Sequence, residues 1–74
     1  MRLSESIKRL RLEKNMTQAQ LADRLGVTPQ AVSKWERSES LPDISMLLPI
    51  AREFGVSLDE LFDNTVAGIE KADS

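Results

Sequence analysis

The chain contains no cysteine and no histidine. No disulfide can staple it, nothing marks an oxidising compartment, and the usual ligands of a structural zinc site are absent. The histidine or cysteine base of common catalytic pairs is missing too, and no glycine-rich phosphate loop replaces it. Aromatic residues are scarce, one tryptophan and two phenylalanines without a tyrosine. A row of bases stacked on aromatic rings, as single-stranded nucleic acid needs, is therefore not expected. No apolar run approaches the ~20 residues that cross a bilayer. The opening MRLSESIKRL is amphipathic and lacks the apolar block of a signal peptide. These absences lead us to expect a non-enzymatic cytoplasmic protein with no metal, no cofactor and no membrane contact.

What is present is one small domain of 74 residues, whose core is marginal unless it packs well or gains a partner subunit. The net charge of −2 hides an uneven distribution. Residues 1–37 carry eight basic and four acidic side chains, a net +4, while residues 38–74 carry two and eight, a net −6. A basic half suits a phosphate backbone, and an acidic half should face away from it or meet another protein.

The dominant apolar period is helical. Leu3, Ile7 and Leu10 fall on one helix face, with Ser4 or a neighbour as its cap and Asn15 as its stop. Thr17 opens a second helix, and Gln20 three residues on completes a capping box, with Met16 and Leu21 as a hydrophobic staple. Leu21, Ala22 and Leu25 form its buried stripe, and Gly26 supplies the left-handed residue that ends it. A third helix starts at once, with Thr28 as N-cap and Pro29 in the first position, where a missing N–H costs nothing. Ala31, Val32 and Trp35 are its inward set, leaving Gln30, Ser33, Lys34 and Arg37 outward. After the linker RSESLPD, Asp43 caps a fourth helix whose apolar stripe is Ile44, Leu47, Leu48, Ala51 and Phe54, ended by Gly55. Pro49 sits inside that pattern, so it should kink this helix, or the helix starts later with Pro49 in its first turn. Ser57 and Glu60 form a second capping box, and Leu58, Leu61 and Phe62 give the last short helix an apolar face. The expected architecture is all-α, a compact five-helix bundle over residues 1–63, with a flexible C-terminal tail at 64–74.

Two short helices joined by a tight turn over TQAQLADRLGVTPQAVSKWE, with small and polar side chains outward on the second, make a helix-turn-helix. In that setting Gln30 can read adenine through a bidentate amide contact, Lys34 can donate to guanine or to phosphate, and Ser33 is small enough to admit close approach. Gln18 at the start of the second helix and Thr28 and Arg37 on the third are candidate phosphate contacts.

The residues also resemble the Cro and phage-repressor type of helix-turn-helix domain, the XRE family. The resemblance rests on Leu10 and Arg11, Thr17, Gln18, Leu21 and Ala22, then Gly26 and Val27. It continues through Gln30, Val32, Ser33, Trp35 and Glu36, Pro42 and Asp43, and the run from Gly55 to Leu61. It implies a sequence-specific regulator of transcription, usually a homodimer on an inverted repeat of double-stranded DNA, and here a repressor. It implies that Gln30, Ser33, Lys34 and Pro29 read bases, the last by apolar contact alone. Gln18, Thr28, Arg37 and Arg11 are its candidate phosphate contacts. Arg11 and Glu36 would form a structural ion pair. Many relatives carry glycine where this chain has Ser38, so Ser38 should hold a strained left-handed conformation or the turn should differ. Leu12 and Ile69 fall off the core stripes and are candidate dimer contacts. The other reading is a protein-interaction module, an antitoxin or anti-repressor, that uses the acidic C-terminal half. It gains if the basic residues scatter over several faces of the fold.

Overall fold

The computed structural model describes residues 2–62. Five helices follow one another: α1 (Arg2–Glu13), α2 (Gln18–Leu25), α3 (Pro29–Glu36), α4 (Ile44–Phe54) and α5 (Leu58–Leu61). No strand occurs among the described residues. The expected tail at 64–74, and with it Ile69, lies outside them.

Local signals set the boundaries of α2, α3 and α5. The Thr17 hydroxyl accepts from the Gln20 amide at 3.0 Å, and Gln20 Oε1 accepts from the Thr17 amide at 2.8 Å. Ser57 and Glu60 repeat this exchange at 3.1 and 2.8 Å. Each box satisfies two amide groups that the first helical turn leaves without a partner. The Thr28 hydroxyl accepts from the Ala31 amide at 3.1 Å, and Pro29 takes the first helical position. Gly26 closes α2 at φ +75° and Gly55 closes α4 at φ +70°, both left-handed. Asn15 plays that part after α1, at φ +56°.

The helices close around Leu3, Ile7 and Leu10 of α1, Leu21 and Ala22 of α2, and Val32 and Trp35 of α3. Ile50, Ala51 and Phe54 of α4 and Leu61 of α5 complete that core. Burying each leucine or isoleucine stabilises the fold by roughly 1.5–3 kcal/mol. The pairing of α2 with α3 is the most extensive between any two elements.

Four expectations fail. Ser4 does not cap α1; the helix has already begun at Arg2, and Ser4 is buried within it. Asp43 occupies the N-cap position of α4, but its side chain makes no capping bond. The apolar face of α4 is rotated from the one anticipated. Ile50 is fully buried, whereas Ile44 is 84% and Leu48 47% exposed. Leu58 and Phe62 are likewise exposed, and Leu61 alone of the anticipated α5 face is buried. As for Pro49, α4 starts at Ile44 and runs through it, so the later start is excluded.

A candidate nucleic-acid interface on α3

Three residues, Gly26, Val27 and Thr28, separate α2 from α3. Within this turn the Gly26 amide donates to the Asp23 carbonyl and the Val27 amide to the Ala22 carbonyl, at 3.3 and 3.0 Å. A chain reversal this short needs the left-handed backbone at Gly26. The Thr28 cap then aims the first turn of α3 outward.

On α3 the core takes Val32 and Trp35, with Ala31 partly buried at its edge. The opposite stripe is Gln30, Ser33, Lys34 and Arg37, spaced by three, four and seven residues along the chain. Gln30, Lys34 and Arg37 are exposed and Ser33 is half-buried. Pro29 and Thr28 are exposed at the N-terminal end of the same helix. The fold thus gathers the candidate base-reading residues onto one solvent-facing surface, with Arg37 at its far end. Arg37 is engaged there by Glu39, Nη2 to Oε1 at 3.2 Å, an exposed pair of little energetic weight.

Gln18 stands at the first position of α2 and is half-buried. Its Nε2 donates to Glu36 Oε1 at 3.0 Å. The same carboxylate takes a two-pronged grip from Arg11, Nε to Oε2 at 2.7 Å and Nη2 to Oε1 at 3.1 Å. The remaining Arg11 nitrogen, Nη1, donates to the Met16 carbonyl at 2.7 Å. The Glu36 side chain is 3% exposed and that of Arg11 10%. Arg11 is therefore engaged at all three guanidinium nitrogens inside the protein, with three of its five N–H donors in use. The planar fork satisfies both partners, and that makes the burial of two charges tolerable.

One contact was not anticipated from the sequence. Ser38, just past α3, has φ +62°, the left-handed conformation, and its Oγ donates to Ser4 Oγ at 2.8 Å. Ser4 and Arg11 are seven residues apart on α1, hence on one helix face, and each bonds to the end of α3. No local signal in the sequence points to the Ser4–Ser38 bond, which spans 34 residues.

Among the described residues the basic side chains are spread over several elements. Lys34 and Arg37 lie on the α3 surface, and Lys14 and Arg24 line a shallow recess with Asn15, Met16, Gln20 and Asp23. Lys8 and Arg9 share a separate surface of α1 with Glu5, Leu12 and Glu13. Arg24 is also paired with Glu53 of α4 at 2.8 Å. Among the described residues no acidic cluster could hold a metal ion, and no helix is long and apolar enough to cross a membrane.

Residues 7–61 match the model of a family described as helix-turn-helix. The chain is 43% identical over 61 residues to the HTH-type transcriptional activator BcrR of Enterococcus faecalis, covering 82% of this chain and 30% of that protein. It is 38% identical over 61 residues to the cryptic phage CTXphi transcriptional repressor RstR of Vibrio cholerae, covering 82% and 54%. The chain thus spans about a third of the first relative and about half of the second. Its fold is similar to that of the P22 c2 repressor, solved in complex with a synthetic operator. That match has a TM-score of 0.78 and 33% identity, covering 85% of this chain and 96% of that one. On sequence and fold together, this all-α chain belongs to the helix-turn-helix family, in its Cro and phage-repressor branch.

Proposed function

We propose that this chain reads double-stranded DNA by sequence and regulates transcription, with α3 as the element that enters the major groove. The observation that carries this reading is the stripe of Gln30, Ser33, Lys34 and Arg37, turned to solvent on the second helix of the motif. Gln30 would hold adenine through its amide, and Lys34 would donate to guanine O6 or N7. Ser33 would let the helix approach closely, and Pro29 would touch a thymine methyl. Gln18, Thr28 and Arg37 would bond phosphates along the groove edge, Gln18 with the help of the α2 N-terminus. Arg11 would add to that set only through the two N–H donors that Glu36 and Met16 leave over, so its main part is structural.

Support from relatives is of both signs, since one is named an activator and the other a repressor. The P22 c2 repressor was solved on an operator, which favours duplex DNA as the ligand of this fold. We place two copies of the chain on an inverted repeat, with their α3 helices ~34 Å apart in successive major grooves. Such work belongs to the cytoplasm, at the nucleoid. The position of Lys8 and Arg9 on α1, of Lys14 just after it and of Arg24 on α2, rather than on α3, favours a second reading, in which the acidic half holds a protein partner, as in an antitoxin or anti-repressor.

Selection from random-sequence duplex DNA separates the two. An enriched inverted repeat supports a dimeric regulator. A single enriched half-site keeps the DNA reading and removes the dimer. No enrichment at low salt overturns the DNA reading in favour of the interaction module.

A further inference from the structure

The end of α3 is held at two points by α1. Glu36 receives Arg11 from the last turn of α1, and Ser38 donates to Ser4 in its first turn. Seven residues of helix separate Ser4 from Arg11, ~10 Å along the α1 axis. Two polar ties so separated add to the packing of Val32 and Trp35 in fixing the direction of the helix.

Ser38 is the unusual member. The Ser38 amide donates to the Trp35 carbonyl at 3.2 Å and the Glu39 amide to the Lys34 carbonyl at 2.8 Å. That is the Schellman closure of a helix, and its left-handed position favours glycine. At φ +62° the Ser38 backbone is strained by its own Cβ. Glycine would hold the same backbone without strain but would carry no hydroxyl. The hydroxyl here reaches Ser4, which is 2% exposed, so an exposed residue is tied to a buried one.

We infer that Ser38, through its hydrogen bond to the buried Ser4, is a positioning residue that fixes the angle at which α3 meets DNA. The inference rests on the DNA-reading assignment above. Side chains that read base edges must be held to within ~0.5 Å and ~10–20° of their working geometry. Contacts to phosphate tolerate more. Loss of the tie therefore lowers discrimination between sequences while leaving non-specific binding nearly intact.

The test compares wild type with Ser38→Gly, Ser38→Ala, Ser4→Ala and the Ser4→Ala/Ser38→Gly double variant. Two numbers are read for each: the thermal midpoint, and the ratio of Kd for a scrambled duplex to Kd for the duplex enriched by the wild-type protein. Ser38→Gly is expected to melt no lower than wild type, because backbone strain is relieved. Its discrimination ratio is expected to fall about 3- to 10-fold, the span of an ordinary neutral hydrogen bond. Ser38→Ala should lose both stability and discrimination. The double variant should discriminate no worse than Ser38→Gly alone, since Ser38→Gly has already removed the Ser4–Ser38 bond. A Ser38→Gly protein with the wild-type ratio overturns the inference, and so does a double variant whose losses add. If Ser4→Ala fails to fold, Ser38→Gly and Ser38→Ala decide alone. A wild-type protein that enriches no sequence overturns the DNA reading itself, and this inference with it.

Discussion

The Glu36 carboxylate is buried to 3% exposure and accepts from Arg11 twice and from Gln18 once. Removing either member of the ion pair strands the other charge inside the protein, at a cost of about 3–5 kcal/mol. That is a large share of the ~5–15 kcal/mol by which a domain is stable, and small domains lie at the lower end. Arg11→Ala and Glu36→Ala should each be largely unfolded or melt far below wild type, as urea titration followed by circular dichroism would show. An Arg11→Met/Glu36→Leu double variant should recover much of that loss, because no unpaired charge is left. Single variants within 1 kcal/mol of wild type would mean that the pair is not buried in solution. This pairing joins residues 25 apart and came from the family resemblance, not from spacing. The Ser4–Ser38 bond, across 34 residues, had no comparable precedent and had to be seen.

At the scale of single elements, what was legible in the sequence is what a few neighbouring residues decide. The two capping boxes, the Thr28 cap, Pro29 at the helix start and the left-handed glycines each depend on four or five consecutive residues. Thr17→Ala and Ser57→Ala should each cost about 1 kcal/mol in denaturant titrations. Gly26→Ala and Gly55→Ala should cost roughly 1–2 kcal/mol, from backbone conformation alone. An added Cβ meets nothing within 4 Å at either site, so no clash contributes. A much larger loss at Gly26 would mean that the turn approaches α3 more closely than the structure shows. The phase of α4 was not legible. Ile44, Leu47, Leu48 and Ala51 make one helical stripe, and Leu47, Ile50, Ala51 and Phe54 make another. Both satisfy the period, and only the positions of the neighbouring helices select the second, which leaves Ile44 and Leu48 in solvent. The same ambiguity misassigned Leu58 and Phe62 on α5, a helix of four residues with too little length to show a face.

For the whole molecule, charge and geometry give different weight to the candidate interface. The α3 surface was readable in advance, because a helix that buries Val32 and Trp35 must turn Gln30, Ser33, Lys34 and Arg37 outward. The spread of the other basic residues over separate surfaces was not readable, since net charge per half of the chain carries no direction. Few phosphate contacts are therefore expected, and the salt dependence of DNA binding should be moderate. Each neutralised phosphate contributes a slope of about −0.9 in log K against log salt concentration. Arg37→Ala should reduce that slope by about 1 and weaken all sequences alike, measured by fluorescence anisotropy with enriched and scrambled duplexes. An unchanged slope would remove Arg37 from the phosphate set.

The central claim is that the outward face of α3 reads bases. The most direct measurement is to repeat the random-duplex selection with Gln30→Ala and to compare the enriched sequences with those of wild type. Preference at one base pair of each half-site should relax, by about 1–3 kcal/mol, while the rest of the motif and the thermal midpoint stay as they were. The same motif, enriched with the same strength at every position, would contradict the assignment of α3 as the reading helix.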